Sequence, residues 1–462
     1  MRSRRDLQTD STGFQPEHPT SGVEPSHLRI TYRDIEEVRP DPRNPRKHSR
    51  GQIKKLARSI EKHRCIVPLL LDRNGNLIAG HARYQACKLL GLTEIPTICL
   101  NHLDQHQARA FMLADNRLAE LAEWDGPLLA EHLKELSEVL NFEIELTGFE
   151  MGEIDLRIEG LKSDPDAKGD PADKLPPVGP PVTQTDDLWL LDQHRVMCAS
   201  ALKEPSYSRL LEKSGAAMVI TDPPYNVRIE GNVSGLGAVR HRDFIMGCRM
   251  DPLEFTAFLS RAFKLLARHS VDGSIHFICM DWRHISELLA AGREAYDELK
   301  NLCVWVKNNG GMGSFYRSRH ELVFVFKHGH ASHRNNVQLG QFGRNRTNVW
   351  EYPGIASFGR SGEEGNLLAA HPTVKPVALV ADAIMDASAR GEIILDAFLG
   401  SGTTVIAAER TGRRCYGLEL DPVYVDTVVR RWQTYTGERA RHAISGRFFD
   451  ELQAEAQERH GR

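Results

Sequence analysis

The chain has 462 residues, 41% of them hydrophobic and 26% charged, with a formal net charge of −3. That is too long for one core and suits two to three domains of ordinary globular composition, while no window approaches the ~20 apolar residues of a membrane span. Eight scattered cysteines with no Cys-x-x-Cys pair exclude a zinc ribbon and argue against a disulfide framework, so we expect no metal and a reducing, cytoplasmic compartment.

Residues 1–27 are rich in Ser, Thr, Pro, Gln and charge without apolar periodicity, which predicts disorder. Order is expected from Leu28. Ile53, Leu56, Ala57 and Ile60 recur at helical spacing. Leu69 to Leu71 and Leu77 to Ala79 read as a hairpin about Asn74-Gly75, and a helix follows Gly80 through Leu90. Helical stretches run from about Leu103 to Glu123 and from Pro127 to Leu140. The Asp-, Lys-, Gly- and Pro-rich stretch 161–186 reads as a partly extended interdomain linker, and the main boundary is expected there.

From Leu188 to about Phe449 the pattern is α/β. Strands are expected at Met218 to Thr221, Ser274 to Cys279, Leu302 to Val306, Leu322 to Phe326, Ile393 to Leu395 and Cys415 to Leu418. Helices are expected at Leu253 to Leu266, Val377 to Ala389, Thr403 to Thr411 and Pro422 to Tyr435. The strand runs are too uniformly apolar to alternate, which predicts a mostly parallel sheet covered on both faces.

Three segments carry chemistry. Asp222-Pro223-Pro224-Tyr225 directly follows a buried-type strand. Alone it would be a strand-terminating turn, but in open α/β sheets ligands bind beyond the carboxyl ends of strands. An aromatic amine is a poor nucleophile because its lone pair is delocalised. The Asp222 carboxylate and the Pro223 carbonyl could hold its hydrogens and localise the pair, the prolines would stiffen the loop, and Tyr225 could stack on a base flipped out of the duplex. The second segment, Asp396-Ala397-Phe398-Leu399-Gly400-Ser401-Gly402-Thr403-Thr404, lies between a strand and a helix. It lacks the third glycine of a dinucleotide fingerprint and the lysine of a P-loop, so it suits a ligand that needs close backbone approach without a phosphate. Glu419, ending the next strand, is positioned for ribose hydroxyls, whereas Asp421 reads as a helix cap. The third segment, His371-Pro372-Thr373-Val374-Lys375-Pro376, reads by itself as a helix start.

In this order the three segments resemble the amino-methyltransferases of DNA with their catalytic motif ahead of the cofactor motif, over roughly Leu188 to Phe449. The resemblance implies a Rossmann-like sheet dependent on S-adenosylmethionine, with double-stranded DNA as partner. It implies a base pocket of Asp222, Pro223, Pro224 and Tyr225, and cofactor contacts from Asp396, Phe398, Gly400, Ser401, Gly402, Thr403, Glu419 and Lys375. An acidic first residue in Asp-Pro-Pro-Tyr resembles adenine-N6 enzymes more than cytosine-N4 ones, which often have serine there. One departure stands out: Cys198-Ala199-Ser200 occupies the place of the family's Cys-Gly-Asp, so Ser200 replaces an aspartate associated with the cofactor's adenine.

Target recognition is expected at about 307–360, where Lys307, Tyr316, Arg317, Arg319, Arg344 and Arg346 lie among glycines and asparagines; an ordinary solvated loop is the alternative. Upstream, Asp41-Pro42-Arg43-Asn44-Pro45-Arg46 and Ile78-Ala79-Gly80-His81-Ala82-Arg83-Tyr84 resemble the ParB/sulfiredoxin superfamily. That implies a small α+β domain in which Gly80, His81 and Arg83 contact a nucleotide or the DNA backbone. The expected layout is a disordered 1–27, a ParB-like domain at 28–120, a helical extension at 121–160, the linker at 161–186, the methyltransferase at 187–450 and a tail at 451–462. Cytosine-N4 transfer, a ParB-type DNA-binding or nucleotide-switch protein with a degenerate catalytic domain, a homodimer, and a restriction–modification role all stay open.

Overall fold

The computed structural model describes residues 28–139, 142–161, 170–173, 175–176, 179, 181–226, 250–308, 310, 315–354 and 374–460. The disorder expected over 1–27 and the His371-Pro372-Thr373 motif therefore lie outside the described residues. Contacts divide the chain between Glu123 and Trp124.

The first unit holds β1 (Ile30–Asp34), β2 (Arg39–Pro40), β3 (Leu69–Leu71), β4 (Asn76–Ala79) and β5 (Glu94–Cys99) in one sheet of order β1-β5-β3-β4-β2. The expected hairpin forms. Gly75 takes φ +82° at its turn, and the Asp72 carboxylate accepts from the backbone of Asn74 and Asn76, each at 2.8 Å. Ser49 caps helix Arg50–His63 by accepting from Gln52 N at 3.1 Å, and that helix buries Ala57 and Ile60. Helix His81–Leu89 buries Tyr84, Ala86 and Cys87, so Cys87 serves packing. Helix Gln105–Ala119 starts in a reciprocal capping box between Asp104 and Gln107.

In the second unit the strands are β6 (Leu188–Leu191), β7 (His194–Cys198), β8 (Ala216–Thr221), β9 (Ser270–Met280), β10 (Glu298–Val306), β11 (His320–Lys327), β12 (Val349–Glu351), β13 (Ile393–Asp396), β14 (Arg414–Glu419) and β15 (Arg441–His442). Among the described residues they form one sheet of order β12-β10-β11-β9-β8-β13-β14-β7-β6-β15. The five central strands, β9-β8-β13-β14-β7, are all parallel. The expectation of a mostly parallel sheet needs amending at the flanks, where β6, β11 and β15 pair antiparallel with their neighbours.

Both faces are covered, which accounts for the unbroken apolar runs. Met218, Ile220, Ile394 and Cys415 face one core cluster with Val380, Ile384 and Val428, while Val219, Leu395 and Leu418 face a second with Phe255, Phe263 and Leu288. Period-two alternation thus sorts apolar residues between two cores. The strand order sets β8 beside β13, so the carboxyl ends that carry Asp222 and Asp396 are neighbours although far apart in the chain.

Two expected boundaries are corrected. The division falls at Glu123/Trp124 and not within 161–186, because helices Gly126–Glu138 and Met151–Gly160 belong to the second unit. Asp155, fully buried, accepts from both Nη atoms of Arg413 (2.8 and 2.7 Å) and from Arg390 Nε (2.9 Å). The described part of the expected linker is bound along the same unit. Asp173 accepts from Val377 N at 2.8 Å, Asp170 pairs with Arg410 at 2.5 Å, and Asp426 accepts from the backbone of Val182 and Thr183. At the other end, the expected tail 451–462 is helical through His460 in helix Phe449–His460. No helix among the described residues is long and apolar enough to cross a membrane.

Candidate functional site: a base pocket beside a cofactor edge

β8 delivers Asp222, Pro223, Pro224 and Tyr225 to the carboxyl edge of the sheet, and Asn226 closes the turn in the left-handed region at φ +54°. The Asn226 amide and the Met250 backbone exchange two hydrogen bonds, at 2.8 and 3.0 Å, which holds the turn in place. Tyr225 Oη donates to Asp222 Oδ1 at 2.6 Å and lies 3.1 Å from Glu321 Oε2. With one proton to give, the hydroxyl serves the nearer oxygen.

Lys375, expected beside the cofactor, instead aims its ammonium into this pocket. Its Nζ bonds Asp222 Oδ2, lies 3.1 Å from Tyr225 Oη and 3.3 Å from Glu321 Oε2, and sits 5.6 Å from the centroid of the Tyr225 ring. Glu321, at the start of β11, also bonds Lys307 from the end of β10, and the Lys307 ammonium lies over the Trp305 ring at 4.5 Å. Burial raises the Asp222 carboxyl, with Lys375 opposing. Burial also works against the Glu321 charge, yet Lys375 and Lys307 outweigh it and hold that carboxyl at about 2. Lys375 itself is raised, since Asp222 and its other acidic neighbours overcome the penalty of burial. Glu321 was not singled out as a site residue; its signal was an acidic residue opening a wholly apolar strand.

Next to the pocket lies the turn after β13. Asp396 accepts from Thr221 Oγ1 (2.7 Å), Thr404 Oγ1 (2.6 Å) and Phe398 N (3.1 Å). It therefore ties the catalytic strand to the glycine turn and the helix Thr403–Thr411, and burial lifts it to about 6. Gly402 takes φ +83°, and a Cβ there would come within 2.8 Å of Val428, so the turn admits no side chain. Glu419 ends β14 with its carboxylate accepting from Gly400 N (2.8 Å) and Asp421 N (2.9 Å), and burial pushes it up to about 7. Asp421 caps helix Pro422–Thr436 by accepting from Val423 N at 2.9 Å, as its helix-cap reading expected. Ser401 and Thr403 are buried, Phe398 is half-buried, and Ser200 stands just past β7, whose last residue pairs with Glu419.

The DNA methylase family matches residues 216–430, which span the pocket and the glycine turn; the ParB N-terminal domain matches 20–117, and the ParB-methyltransferase HTH domain matches 127–185. This chain is an N6/N4-family DNA methylase with a ParB-like domain in front. It is 27% identical over 262 residues to the type II methyltransferase M.HpaI of Haemophilus parainfluenzae, covering 52% of this chain and 74% of that protein. It is 38% identical over 80 residues to the ParB-like nuclease domain-containing protein YnaK of Escherichia coli (strain K12), covering 17% of this chain and 92% of that one. Among solved structures, the cytosine-N4-specific PvuII DNA methyltransferase aligns with a TM-score of 0.40 at 16% identity, over 61% of this chain and 95% of that one. The HTH match covers the stretch expected to be a helical extension and linker.

In this DNA methylase the residues expected to meet DNA separate into two groups. Tyr316 is 82% exposed and packs edge-on against Phe315 at 4.5 Å, and Arg317 and Arg319 are exposed too. Their guanidinium groups donate to the carbonyls of Gly310 and Lys307, each at 2.9 Å. Arg344 and Arg346 correct the expectation. Arg344 is buried and bonds Asp386 at 2.5 Å, while Arg346 bonds Asp382 and Asp386 at 3.2 Å and Tyr352 Oη at 2.7 Å. The carboxylates of helix Val377–Ala387 have drawn both arginines inward. Lys307 is likewise engaged by Glu321.

In the first unit, Gly80 precedes helix His81–Leu89 with φ +104°, and Arg83 folds back so that a Cβ on Gly80 would meet its Nη2 at 3.1 Å. Arg83 Nη2 donates to Pro68 O at 3.4 Å. His81 Nε2 and Arg83 Nε are buried without a hydrogen-bond partner among the described residues, and burial lowers the His81 pKa.

Proposed function

We propose that this methylase transfers the methyl group of S-adenosylmethionine to the exocyclic N6 of adenine in DNA. The observation that carries the reading is an aspartate, Asp222, at the head of the Asp-Pro-Pro-Tyr loop, held between Tyr225 and Lys375 at the carboxyl end of β8.

Each carboxylate oxygen can accept more than one hydrogen bond, so Asp222 keeps acceptor capacity for an incoming amine after bonding Tyr225 and Lys375. The Asp222 carboxylate and the Pro223 carbonyl would accept hydrogen bonds from the amino group and free the nitrogen lone pair for in-line attack on the methyl. As the N–C bond formed the methyl–sulfur bond would break, and the surplus amino proton would pass to Asp222. The adjoining prolines limit reorganisation as charge develops. Tyr225 provides an aromatic face for the flipped base and offsets part of the unstacking cost. S-adenosylmethionine supplies an activated methyl on sulfonium.

The chain's own groups fit that cofactor. The Gly400 to Gly402 turn admits close approach, Phe398 offers an apolar face, and the Glu419 carboxylate, already turned toward Gly400 N, accepts from ribose hydroxyls. Positioning provides most of the rate, and no covalent enzyme intermediate is required. Tyr316, Arg317 and Arg319 form the exposed DNA-facing set, and the Gly80 turn, with His81 and Arg83, offers the ParB-like unit a site for a phosphate of DNA or of a nucleotide.

The test is transfer of labelled methyl from S-adenosylmethionine to unmethylated DNA, followed by nucleoside analysis. Label in N6-methyladenine is expected. Label in N4-methylcytosine would correct the base and keep the mechanism, and cofactor binding without any transfer would overturn the reading.

A further inference from the structure

We infer that Lys375, backed by Glu321 and Lys307, is a positioning residue that keeps Asp222 ionised and fixes the direction of its carboxylate. This deepens the proposed function and rests on it.

The groups facing Asp222 come from every element around it: Tyr225 from its own loop, Lys375 from the segment before helix Val377–Ala387, and Glu321 from β11. Lys307 lies after β10, Cys279 on β9 and Asp396 on β13. Asp222, Glu321, Lys375 and Lys307 form a neutral set of two carboxylates and two ammoniums. The three donors of Lys375 meet Asp222 Oδ2, Tyr225 Oη and Glu321 Oε2, and Lys307 takes the other oxygen of Glu321.

Take Lys375 away and Lys307 still answers Glu321, so Asp222 is the carboxylate left without a cation and the one driven toward its protonated form. A protonated Asp222 presents a donor where the base amine needs an acceptor, and the amine stays conjugated. Glu321 has the opposite sign of influence: its charge makes Asp222 harder to ionise, and it earns its place by anchoring Lys375. The lysine backbone is tied to the other half of the site, since Thr403 Oγ1 donates to the Lys375 carbonyl at 3.4 Å, and Arg431 bonds Thr403 Oγ1 at 3.2 Å and Ser401 O at 3.1 Å. A single residue therefore registers the base pocket against the glycine turn.

The experiment is the single-turnover methyl-transfer rate of the full-length protein against pH, with S-adenosylmethionine affinity measured by calorimetry on the same samples. Lys375→Met should lower the rate by roughly 100-fold and move its acid limb up by about one pH unit or more, with affinity nearly unchanged. Lys375→Arg should restore part of both. Glu321→Gln should move the acid limb the other way, to lower pH, which loss of packing alone would not do. An unshifted pH profile in Lys375→Met and in Glu321→Gln, or a rate loss matched by lost cofactor affinity, overturns the inference while leaving the methyltransferase reading standing. Absence of transfer by the unaltered protein, on any DNA, sinks both.

Discussion

Two pairs of carboxylates, one buried and one half-buried in each, sit side by side at the carboxyl edge of one sheet, and they are stabilised in opposite ways. In the base pocket, Asp222 and Glu321 are held by the ammoniums of Lys375 and Lys307. At the cofactor edge, the donors to Asp396 and Glu419 among the described residues are neutral: threonine hydroxyls and backbone amides. The result is a wide split between residues of like kind: Glu321 falls to about 2 while Glu419 rises to about 7. Burial raises both carboxyls; at Glu321 the two ammoniums outweigh it, and at Glu419 the backbone amides do not. Paired ammoniums keep Glu321 charged, whereas neutral dipoles leave Glu419 close to its protonated form.

The strongest way to break this contrast is to remove the acceptor. Asp222→Ala should cut methyl transfer by about 1,000-fold or more while S-adenosylmethionine still binds, as read by labelled-methyl incorporation beside calorimetry; near-normal turnover would refute the assignment. Away from the pocket, Arg344→Ala should leave Asp386 to Arg346 alone and cost about 1–3 kcal/mol of stability in denaturant unfolding. Arg317→Ala, at an exposed position, should leave stability alone and flatten the salt dependence of DNA binding. Equal effects would return Arg344 to the DNA-facing set.

Glu419→Gln should weaken cofactor affinity by roughly 10- to 100-fold and leave transfer from the saturated complex close to normal. In the unaltered protein the affinity should fall as pH drops below about 7, because hydroxyl donors favour the ionised form, and the variant should lose that dependence.

The smallest effect sharpens the comparison most. Glu419 keeps its proton in the folded chain well above its ordinary value of 4.5, so its term favours the fold at low pH and is lost as pH rises toward about 7. Glu321, held at about 2, contributes stability above 4.5 that disappears as pH falls toward 2. Unfolding free energies of Glu419→Gln and Glu321→Gln, taken relative to the unaltered protein across pH, should slope in opposite senses. Parallel slopes would mean the two carboxylates share one environment.

Much of the fold was legible because it is written locally. The strands after Met218, Ile393 and Cys415 announce themselves as unbroken apolar runs, and the Gly402 turn as small residues where no Cβ fits. Other elements went unassigned for particular reasons. Helix Ile285–Ala295 carries Gly292, a poor helix former, yet a Cβ there would sit 2.4 Å from the Phe326 ring, so contact across the core overrides propensity. β7 opens with His194, which reads as polar surface but is buried, with Nδ1 accepting from Cys415 N at 2.8 Å and Nε2 2.9 Å from Glu409.

The sequence by itself determined the chemistry-bearing loops, their order, and the strands that end in them, because period, turn residues and backbone restrictions act over a few positions. Only the tertiary structure decided which charges meet. Lys375 and Asp222 lie 153 residues apart and Tyr225 and Glu321 96 apart, and what joins them is the strand order of one sheet, with β11 antiparallel beside β9 and β9 parallel beside β8. The same holds for Arg344 and Arg346, whose spacing among glycines reads as a DNA surface until Asp382 and Asp386 are seen to claim them. A charge is free or spent according to its neighbours in space, and no local pattern records that.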